Sequence, residues 1–162
     1  MMNKRSFLAS AGGFVGAMLT VGCSRPAAAE RSGRFEVTRT PAEWRKRLSP
    51  ASYRVLREEG TERAGSSPLN KERRRGTYAC AGCGLPVFGS AAKFESGTGW
   101  PSFTAPLRNA VGTKADNTFF TKRTEVHCRR CGGHLGHVFD DGPRPTGKRY
   151  CMNGVAMKFI AA

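Results

Sequence analysis

The sequence predicts a mainly β domain, built from short antiparallel strands behind a short helical N-terminal lead-in. Its 162 residues include 20 glycines and nine prolines, and such a composition with few helix-forming runs favours a turn-rich β chain. Ten phenylalanines within a 39% hydrophobic composition can close a modest core, which excludes a wholly disordered chain. The length allows one ordinary domain. Composition also excludes a transmembrane bundle, a coiled coil and a collagen-like repeat.

The first 29 residues have the organisation of a bacterial-type export signal. Lys4 and Arg5 form a basic start, residues 6–22 are uncharged and largely apolar, and small residues occupy positions 27–29; this order is typical of secretory signals. The stretch KRSFL, which begins at Lys4, resembles a relaxed twin-arginine signal. The apolar segment is short and rich in Gly and Ala, so a permanent spanning anchor is not favoured. We therefore expect an exported, periplasmic protein.

Two cleavage sites compete at the end of this signal. The alanines at 27–29 suit a signal peptidase that leaves Glu30 as the first residue, and we favour this site. Residues 19–23 (LTVGC) resemble a lipoprotein box, which would leave a lipid-modified Cys23 and tether the protein to the membrane. No linker divides residues 30–162, which we expect to form one domain.

A helical lead-in is predicted between residues 34 and 70. Thr40, Pro41 and Glu43 supply a hydroxyl cap, a proline at the first helical position and an acid in the first turn. This combination is a common helix start. Pro50 is predicted to end these first helical turns.

Short apolar runs alternate with Gly and Pro after residue 76, and each run is too short for a helix. We interpret them as short antiparallel strands. These runs lie at Tyr78 and at residues 86–88, 119–120, 137–139 and 155–160.

Two CxxC motifs, each followed by glycine, predict a four-thiol metal site. Two residues between thiols let both sulfurs face one ion, and two such knuckles complete the tetrahedral shell that zinc prefers. The alternative is a pair of structural or redox-active disulfides, which an exported protein can form. His127 is a possible substitute ligand, although we favour an ordinary strand histidine at this position. The predicted zinc ligands are Cys80, Cys83, Cys128 and Cys131.

Cys151 is the one thiol of residues 30–162 that the predicted zinc site does not use. Arg149, two residues earlier, shares its face on an extended chain, and a guanidinium there stabilises a thiolate. Upstream, His134 and His137 flank a Leu-Gly pair and could supply protons. Taken singly, each feature also fits a structural role, because a lone cysteine or a pair of histidines commonly belongs to the core.

Together these segments resemble the methionine-R-sulfoxide reductases of the B type. Besides the two knuckles, the matching stretches are residues 93–103 (KFESGTGWPSF), 134–143 (HLGHVFDDGP) and 149–154 (RYCMNG). They occur in the family's order, and the resemblance runs from about residue 35 to residue 159.

The resemblance implies a fold, a reaction and a set of functional residues. The fold is two antiparallel sheets forming a small curved β-structure, pinned by one structural zinc. In the reaction, the Cys151 thiolate attacks the sulfur of a methionine R-sulfoxide in a protein, methionine leaves, and a sulfenic acid remains. Trp100 receives the S-methyl group of the substrate. The other catalytic residues implied are His134 and His137 as proton donors, Arg149 as thiolate stabiliser, and Asn153 as orienter of the water or histidine network.

Thr98 departs from the pattern of many members, which carry there a cysteine that resolves the sulfenic acid. If zinc holds the four knuckle thiols and Cys23 is removed, the domain has no resolving thiol. A thioredoxin-like electron donor attacking sulfenic Cys151 directly is then expected. We also expect a monomer.

A rival class is a basic zinc ribbon that binds nucleic acid, since Lys and Arg outnumber Asp and Glu by 27 to 12. The basic residues are spread along the chain, however, and the aromatic residues are not interleaved with them as stacking platforms would be. Export also separates the protein from cellular nucleic acid. A non-catalytic, lipid-anchored zinc-binding module is the other alternative.

Overall fold

A computed structural model describes residues 35–117 and 122–162 of the chain. The predicted export signal at residues 1–29, including Cys23, lies outside the described residues. The strand predicted at residues 119–120 also lies outside them.

The lead-in contains two helices, α1 (Pro41–Arg47) and α2 (Pro50–Glu58). Thr40 and Glu43 form a reciprocal capping box at the start of α1, as the sequence predicts. The prediction for Pro50 was incomplete, because this residue begins α2, with the Ser49 side chain capping the helix. A serine followed by proline repeats the start signal of α1 and allows the second helix. No helix among the described residues is long and apolar enough to cross a bilayer.

Within the described residues, nine strands form two antiparallel sheets, so the predicted mainly β fold is confirmed. The smaller sheet has the order β2-β1-β9, and the larger has the order β3-β4-β8-β7-β6-β5. Short 3-10 turns precede β3 and β9. The strands are β1 (Gly76–Cys80), β2 (Pro86–Gly89), β3 (Lys93–Phe94), β4 (Ser102–Phe103), β5 (Val111–Asp116), β6 (Arg123–Cys128), β7 (His134–Phe139), β8 (Arg149–Met152) and β9 (Met157–Ala161).

Residues of both sheets and of the two helices form the hydrophobic core, which fixes the position of β4. Phe103 of β4 stacks on Phe88 of β2 with ring centroids 4.4 Å apart, and it meets the edge of Tyr78 of β1 at 4.9 Å. All three rings are fully buried. Aromatic pairs of this kind contribute about 0.5–1.5 kcal/mol beyond their buried area. The residue before Phe103 is Ser102, which the packing of this core therefore holds in place.

Candidate active site and metal centre

One row of side chains crosses all six strands of the larger sheet, with Cys151 near its middle. Directly opposed residues on neighbouring strands place their side chains on the same face. Cys151 of β8 pairs with Ser102 of β4 on one side and with His137 of β7 on the other. In strand order from β3 to β5, the row is Phe94, Ser102, Cys151, His137, Glu125 and Lys114.

Gly136, between the two histidines, lets β7 approach β8 closely. A Cβ atom at this position would lie 2.1 Å from the main-chain oxygen of Cys151, which is far inside any allowed contact. Glycine is therefore required here for His137 to reach the row beside Cys151.

His137 is held by an acidic partner at the end of β5. Its Nε2 lies 2.8 Å from Asp116 Oδ2, and Arg123 contacts the same carboxylate oxygen at 2.8 Å. Burial lowers the pKa of His137 below its usual value, although the hydrogen bond with Asp116 opposes that shift. His137 is therefore a neutral imidazole at pH 7.

His134 is buried beside a second carboxylate. Its side chain is 3% exposed, and Nδ1 lies 3.1 Å from Glu125 Oε1, at an angle outside that of a hydrogen bond. Burial opposes ionisation of Glu125, but the contacts with His134 and Lys114 prevail and lower the pKa of Glu125 to about 2. The Nε2 atom of His134 has no hydrogen-bond partner among the described residues. The His134 and His137 rings lie 5.3 Å apart, so the structure brings the two predicted proton donors together.

Arg149 shares the face of Cys151, as predicted, and is fixed by two contacts. Its Nε and Nη2 donate to the two carboxylate oxygens of Asp141 at 2.9 and 2.8 Å. Its guanidinium lies 4.5 Å from the ring centroid of Phe139. Asp141 therefore neutralises much of the charge that Arg149 offers to the thiol.

The environment of Cys151 favours a thiol in the resting protein. Burial raises its pKa, whereas contacts with the Thr98 hydroxyl, the Arg149 guanidinium and the Ser102 hydroxyl oppose the shift without cancelling it. Cys151 forms no disulfide in the described residues. Beside it, Thr98 Oγ1 lies 3.9 Å from the sulfur.

Glu62, which the sequence analysis did not single out, connects Trp100 to the segment after Cys151. Its main-chain oxygen accepts a hydrogen bond from Trp100 Nε1 at 3.2 Å. Its carboxylate accepts from the main-chain N–H groups of Gly154 at 2.7 Å and Val155 at 2.9 Å. Its own N–H donates to Asn153 Oδ1 at 2.9 Å. The one available signal was an acidic residue in the lead-in, which usually indicates an exposed charge.

The Asn153 side chain is 3% exposed and joins the lead-in to β7. Besides accepting from Glu62, its amide donates to the main-chain oxygen of Leu135 at 3.1 Å. These contacts join Asn153 to the main chain of β7, the strand that carries both histidines. Its role in orienting the histidines stays a prediction.

We expect Glu62→Gln to lower the free energy of unfolding by about 2 kcal/mol, because an amide NH2 group would replace one acceptor facing a buried N–H. Urea unfolding of the zinc-loaded protein measures this. Glu58→Gln is the control, since that side chain is 50% exposed and its replacement should cost less than about 0.5 kcal/mol. Equal stability of the two variants would show that the Glu62 carboxylate does not hold this segment.

Four sulfur atoms form the metal centre. All lie within 4.8 Å of one another, with Cys80 Sγ 3.7 Å from Cys131 Sγ and Cys83 Sγ 3.5 Å from Cys128 Sγ. A tetrahedron with zinc–sulfur bonds of about 2.3 Å has sulfur–sulfur edges of about 3.8 Å, so the cluster fits zinc. Disulfides require about 2.05 Å, and the five described cysteines are free. Among the described residues, these four thiols alone form such a group.

The two knuckles have the same backbone geometry. The N–H of Gly84 donates to Cys80 O, and the N–H of Gly132 donates to Cys128 O, each at 2.8 Å. Both glycines have positive φ angles, 75° and 65°, which other residues rarely adopt. His127 does not join the cluster; its ring instead meets the edge of Phe35, with centroids 5.8 Å apart.

Comparison with known proteins gives a consistent result. The family model described as "SelR domain" matches residues 48–161. The chain is 51% identical over 126 residues to a peptide methionine sulfoxide reductase MsrB of Leptospira interrogans, which covers 77% of this chain and 96% of that protein. It is 53% identical over 122 residues to an MsrB of Thiobacillus denitrificans, covering 75% and 92%. It is also 52% identical over 120 residues to the chloroplastic peptide methionine sulfoxide reductase B1 of Arabidopsis thaliana, covering 74% and 59%.

Proposed function

The chain belongs to the SelR-domain family of B-type peptide methionine sulfoxide reductases, and we propose that it reduces methionine R-sulfoxide in proteins with Cys151 as the nucleophile. It is an oxidoreductase, and the similarity to reductases favours neither a nucleic-acid-binding ribbon nor a silent zinc module. The observation that supports Cys151 most directly is its place in the row, a free thiol between Ser102 and His137.

The first half-reaction needs no external reductant, because the Cys151 sulfur supplies both electrons. The Cys151 sulfur attacks the sulfoxide sulfur, the bond from that sulfur to oxygen breaks, and the oxygen ends on Cys151 as a sulfenic acid. The thiol proton is transferred to the oxygen in the process. The cysteine sulfur is oxidised by two electrons, the substrate sulfur is reduced by two, and methionine leaves.

The resting protonation states suit this exchange. Cys151 holds its proton because burial raises the pKa of the thiol, and His137 is neutral because burial lowers its pKa. A neutral imidazole beside the thiol can accept that proton and return it to the sulfoxide oxygen. His134, whose Nε2 has no partner among the described residues, is the second donor to that oxygen. Arg149 favours the thiolate once the proton has left.

Two further residues shape the substrate site in this proposal. Trp100 lies two residues before Ser102, which is opposite Cys151, and its ring forms the wall for the S-methyl group. Asn153, fixed by main-chain contacts on either side, keeps the histidine-bearing strand in register with Cys151.

The zinc is structural. Cys80, Cys83, Cys128 and Cys131 hold it, and it joins the end of β1 to the turn between β6 and β7. It takes no part in the exchange at Cys151.

The N-terminal segment and Thr98 bear on where the enzyme acts and on how it is reduced. We infer that it is exported to the periplasm, starts at Glu30 after signal cleavage, and acts as a monomer that repairs oxidised proteins. A lipid anchor at Cys23 is the alternative outcome of processing. A thioredoxin-like donor reduces the sulfenic acid by direct attack on Cys151. The amino-acid pattern of residues 1–29 supports export and cleavage, and Thr98 in place of a resolving cysteine supports direct attack by the donor.

An oxidised, methionine-rich protein incubated with the enzyme and a dithiol tests this function. Mass spectrometry should show the loss of one oxygen from each reduced methionine. An unchanged mass under conditions that keep the enzyme zinc-loaded would contradict it.

Thr98→Cys is expected to convert the oxidised product from a sulfenic acid to a disulfide. Because Thr98 Oγ1 lies 3.9 Å from Cys151 Sγ, a thiol placed there faces the sulfur and can form the bond of about 2.05 Å once the two side chains move toward each other. With one equivalent of methionine sulfoxide, mature wild type should give a dimedone-trappable Cys151 sulfenic acid, whereas the variant should give a disulfide between the introduced thiol and Cys151. Peptide mapping distinguishes the products. A bridge from wild-type Cys151 to a knuckle cysteine would mean that a zinc ligand serves as resolver.

A further inference from the structure

A chain of three hydroxyl groups ends at the Cys151 sulfur. Ser96 Oγ lies 2.8 Å from both Ser102 Oγ and Thr98 Oγ1. Thr98 Oγ1 in turn lies 3.9 Å from Cys151 Sγ. At the other end, Ser102 Oγ donates to the main-chain oxygen of Trp100 at 3.2 Å.

The direction of these hydrogen bonds follows from the carbonyl at the end of the chain. A carbonyl oxygen only accepts, so beside the neutral thiol the Ser102 hydroxyl donates to Trp100. Ser102 Oγ can then accept the proton of Ser96. The main-chain N–H of Thr98 also donates to Ser96 Oγ, at 3.4 Å, which fixes the loop around it. Ser96 Oγ accepts in turn from the Thr98 hydroxyl, whose oxygen can accept from the neutral Cys151 thiol. When the thiolate forms, the three hydroxyl protons can turn toward it, so that Thr98 donates to the sulfur, Ser96 donates to Thr98 and Ser102 donates to Ser96.

We propose that Thr98 is a catalytic residue whose hydroxyl, oriented by Ser96, donates a hydrogen bond to the Cys151 thiolate as the thiol proton leaves. The role rests on Cys151 being the nucleophile of the proposed function. Thr98 thus provides a hydroxyl donor that stabilises the first chemical step.

The charged groups around Cys151 only partly stabilise a thiolate, so a hydroxyl donor can add to that stabilisation. The groups that face it are His137 from β7, paired with Asp116, and Arg149 from β8, paired with Asp141. His137 is neutral, and the Arg149 charge is shared with a carboxylate. Burial raises the pKa of Cys151, and the hydrogen bond with the Thr98 hydroxyl opposes that shift together with Arg149 and Ser102. Hydrogen bonds to a charged acceptor are about twice as strong as neutral ones, so the contact strengthens when the thiolate forms.

The pH dependence of Cys151 alkylation by iodoacetamide tests the proposal on the zinc-loaded mature enzyme without any sulfoxide. Peptide mapping follows Cys151 alone. Thr98→Val should react about tenfold more slowly than wild type at pH 7, because the loss of one hydrogen bond to a charged group disfavours the thiolate. At high pH, where both proteins carry the thiolate, the two rates should converge. Thr98→Ser should stay within about twofold of wild type because it keeps the hydroxyl.

Two further variants separate this role from general disturbance of the loop. Among the described residues, the Thr104 hydroxyl binds only the main-chain oxygen of Ala92, at 3.3 Å, so Thr104→Val should leave the alkylation profile unchanged. Ser96→Ala should slow alkylation at pH 7 less than Thr98→Val does. Equal rates for Thr98→Val and wild type at pH 7, or a deficit that persists at high pH, would overturn the proposal. Either result concerns the free thiol alone, so it is distinguishable from a failure to reduce sulfoxide.

Discussion

Cys151→Ser should abolish methionine sulfoxide reduction, lowering the turnover rate by at least about a thousandfold. A serine hydroxyl at this position has neither the acidity nor the nucleophilicity of a thiol, and it cannot take up the oxygen as a sulfenic acid. No other described thiol can substitute, because the remaining four lie together in the metal centre. Steady-state reduction of a methionine R-sulfoxide peptide with dithiothreitol measures the loss.

The same variant should fold and bind zinc normally, since one sulfur-to-oxygen change at a half-buried strand position removes no metal ligand. Zinc content and the far-UV circular dichroism spectrum provide the controls. Retained turnover in a folded Cys151→Ser protein would refute the assignment of the nucleophile.

Cys80→Ser and Cys131→Ser should each cost the protein its zinc and most of its fold. Structural zinc sites contribute about 10 kcal/mol or more in peptides, which is comparable to the whole stability of a small domain, about 5–15 kcal/mol. Cys80 is also 1% exposed and Cys131 2% exposed, so an uncompensated polar group would remain in the core. Elemental analysis and thermal unfolding measure the two losses together.

Cys151→Ser is the matched control for these variants, because it also replaces one cysteine by serine but outside the metal centre. It should keep one zinc per chain and an unfolding temperature close to that of wild type. A wild-type protein that is folded and active without metal would contradict a structural zinc.

Features set by neighbouring residues could be predicted from the sequence. The two knuckles need only a CxxC pair and a following glycine, and both turns form as expected around Gly84 and Gly132. The helix start at Thr40 depends on residues within one turn. Arg149 shares the face of Cys151 because side chains two apart on a strand point the same way.

Features that depend on distant pairings could not be predicted. Asp116 meets His137 only because β5 and β7 flank β6 in the sheet, and Glu62 reaches the segment after Cys151 across 92 positions of the chain. No local pattern specifies such contacts. The resemblance implied that Thr98 lies close to Cys151, because many members carry there the cysteine that resolves the sulfenic acid, but it did not indicate the contacts of the Thr98 hydroxyl with Ser96 and the sulfur.

Two strands could not be predicted from the sequence because they contain many charged residues. The exposed positions of β5 (Val111–Asp116) and the polar residues of β6 (Arg123–Cys128) interrupt the apolar runs on which strand prediction relies. Their charges have partners across the sheet, since Lys114 of β5 contacts Glu125 of β6 at 2.7 Å. Pairing of opposite charges across strands stabilises a sheet that hydrophobicity alone does not indicate.

Epimer-resolved chromatography of a racemic, peptide-bound methionine sulfoxide tests R-epimer reduction by this chain most directly. With wild-type enzyme and dithiothreitol, the R epimer should be consumed completely while the S epimer stays at its starting amount. Equal consumption of the two epimers, or consumption of the S epimer alone, would contradict the function proposed for Cys151 and the residues around it.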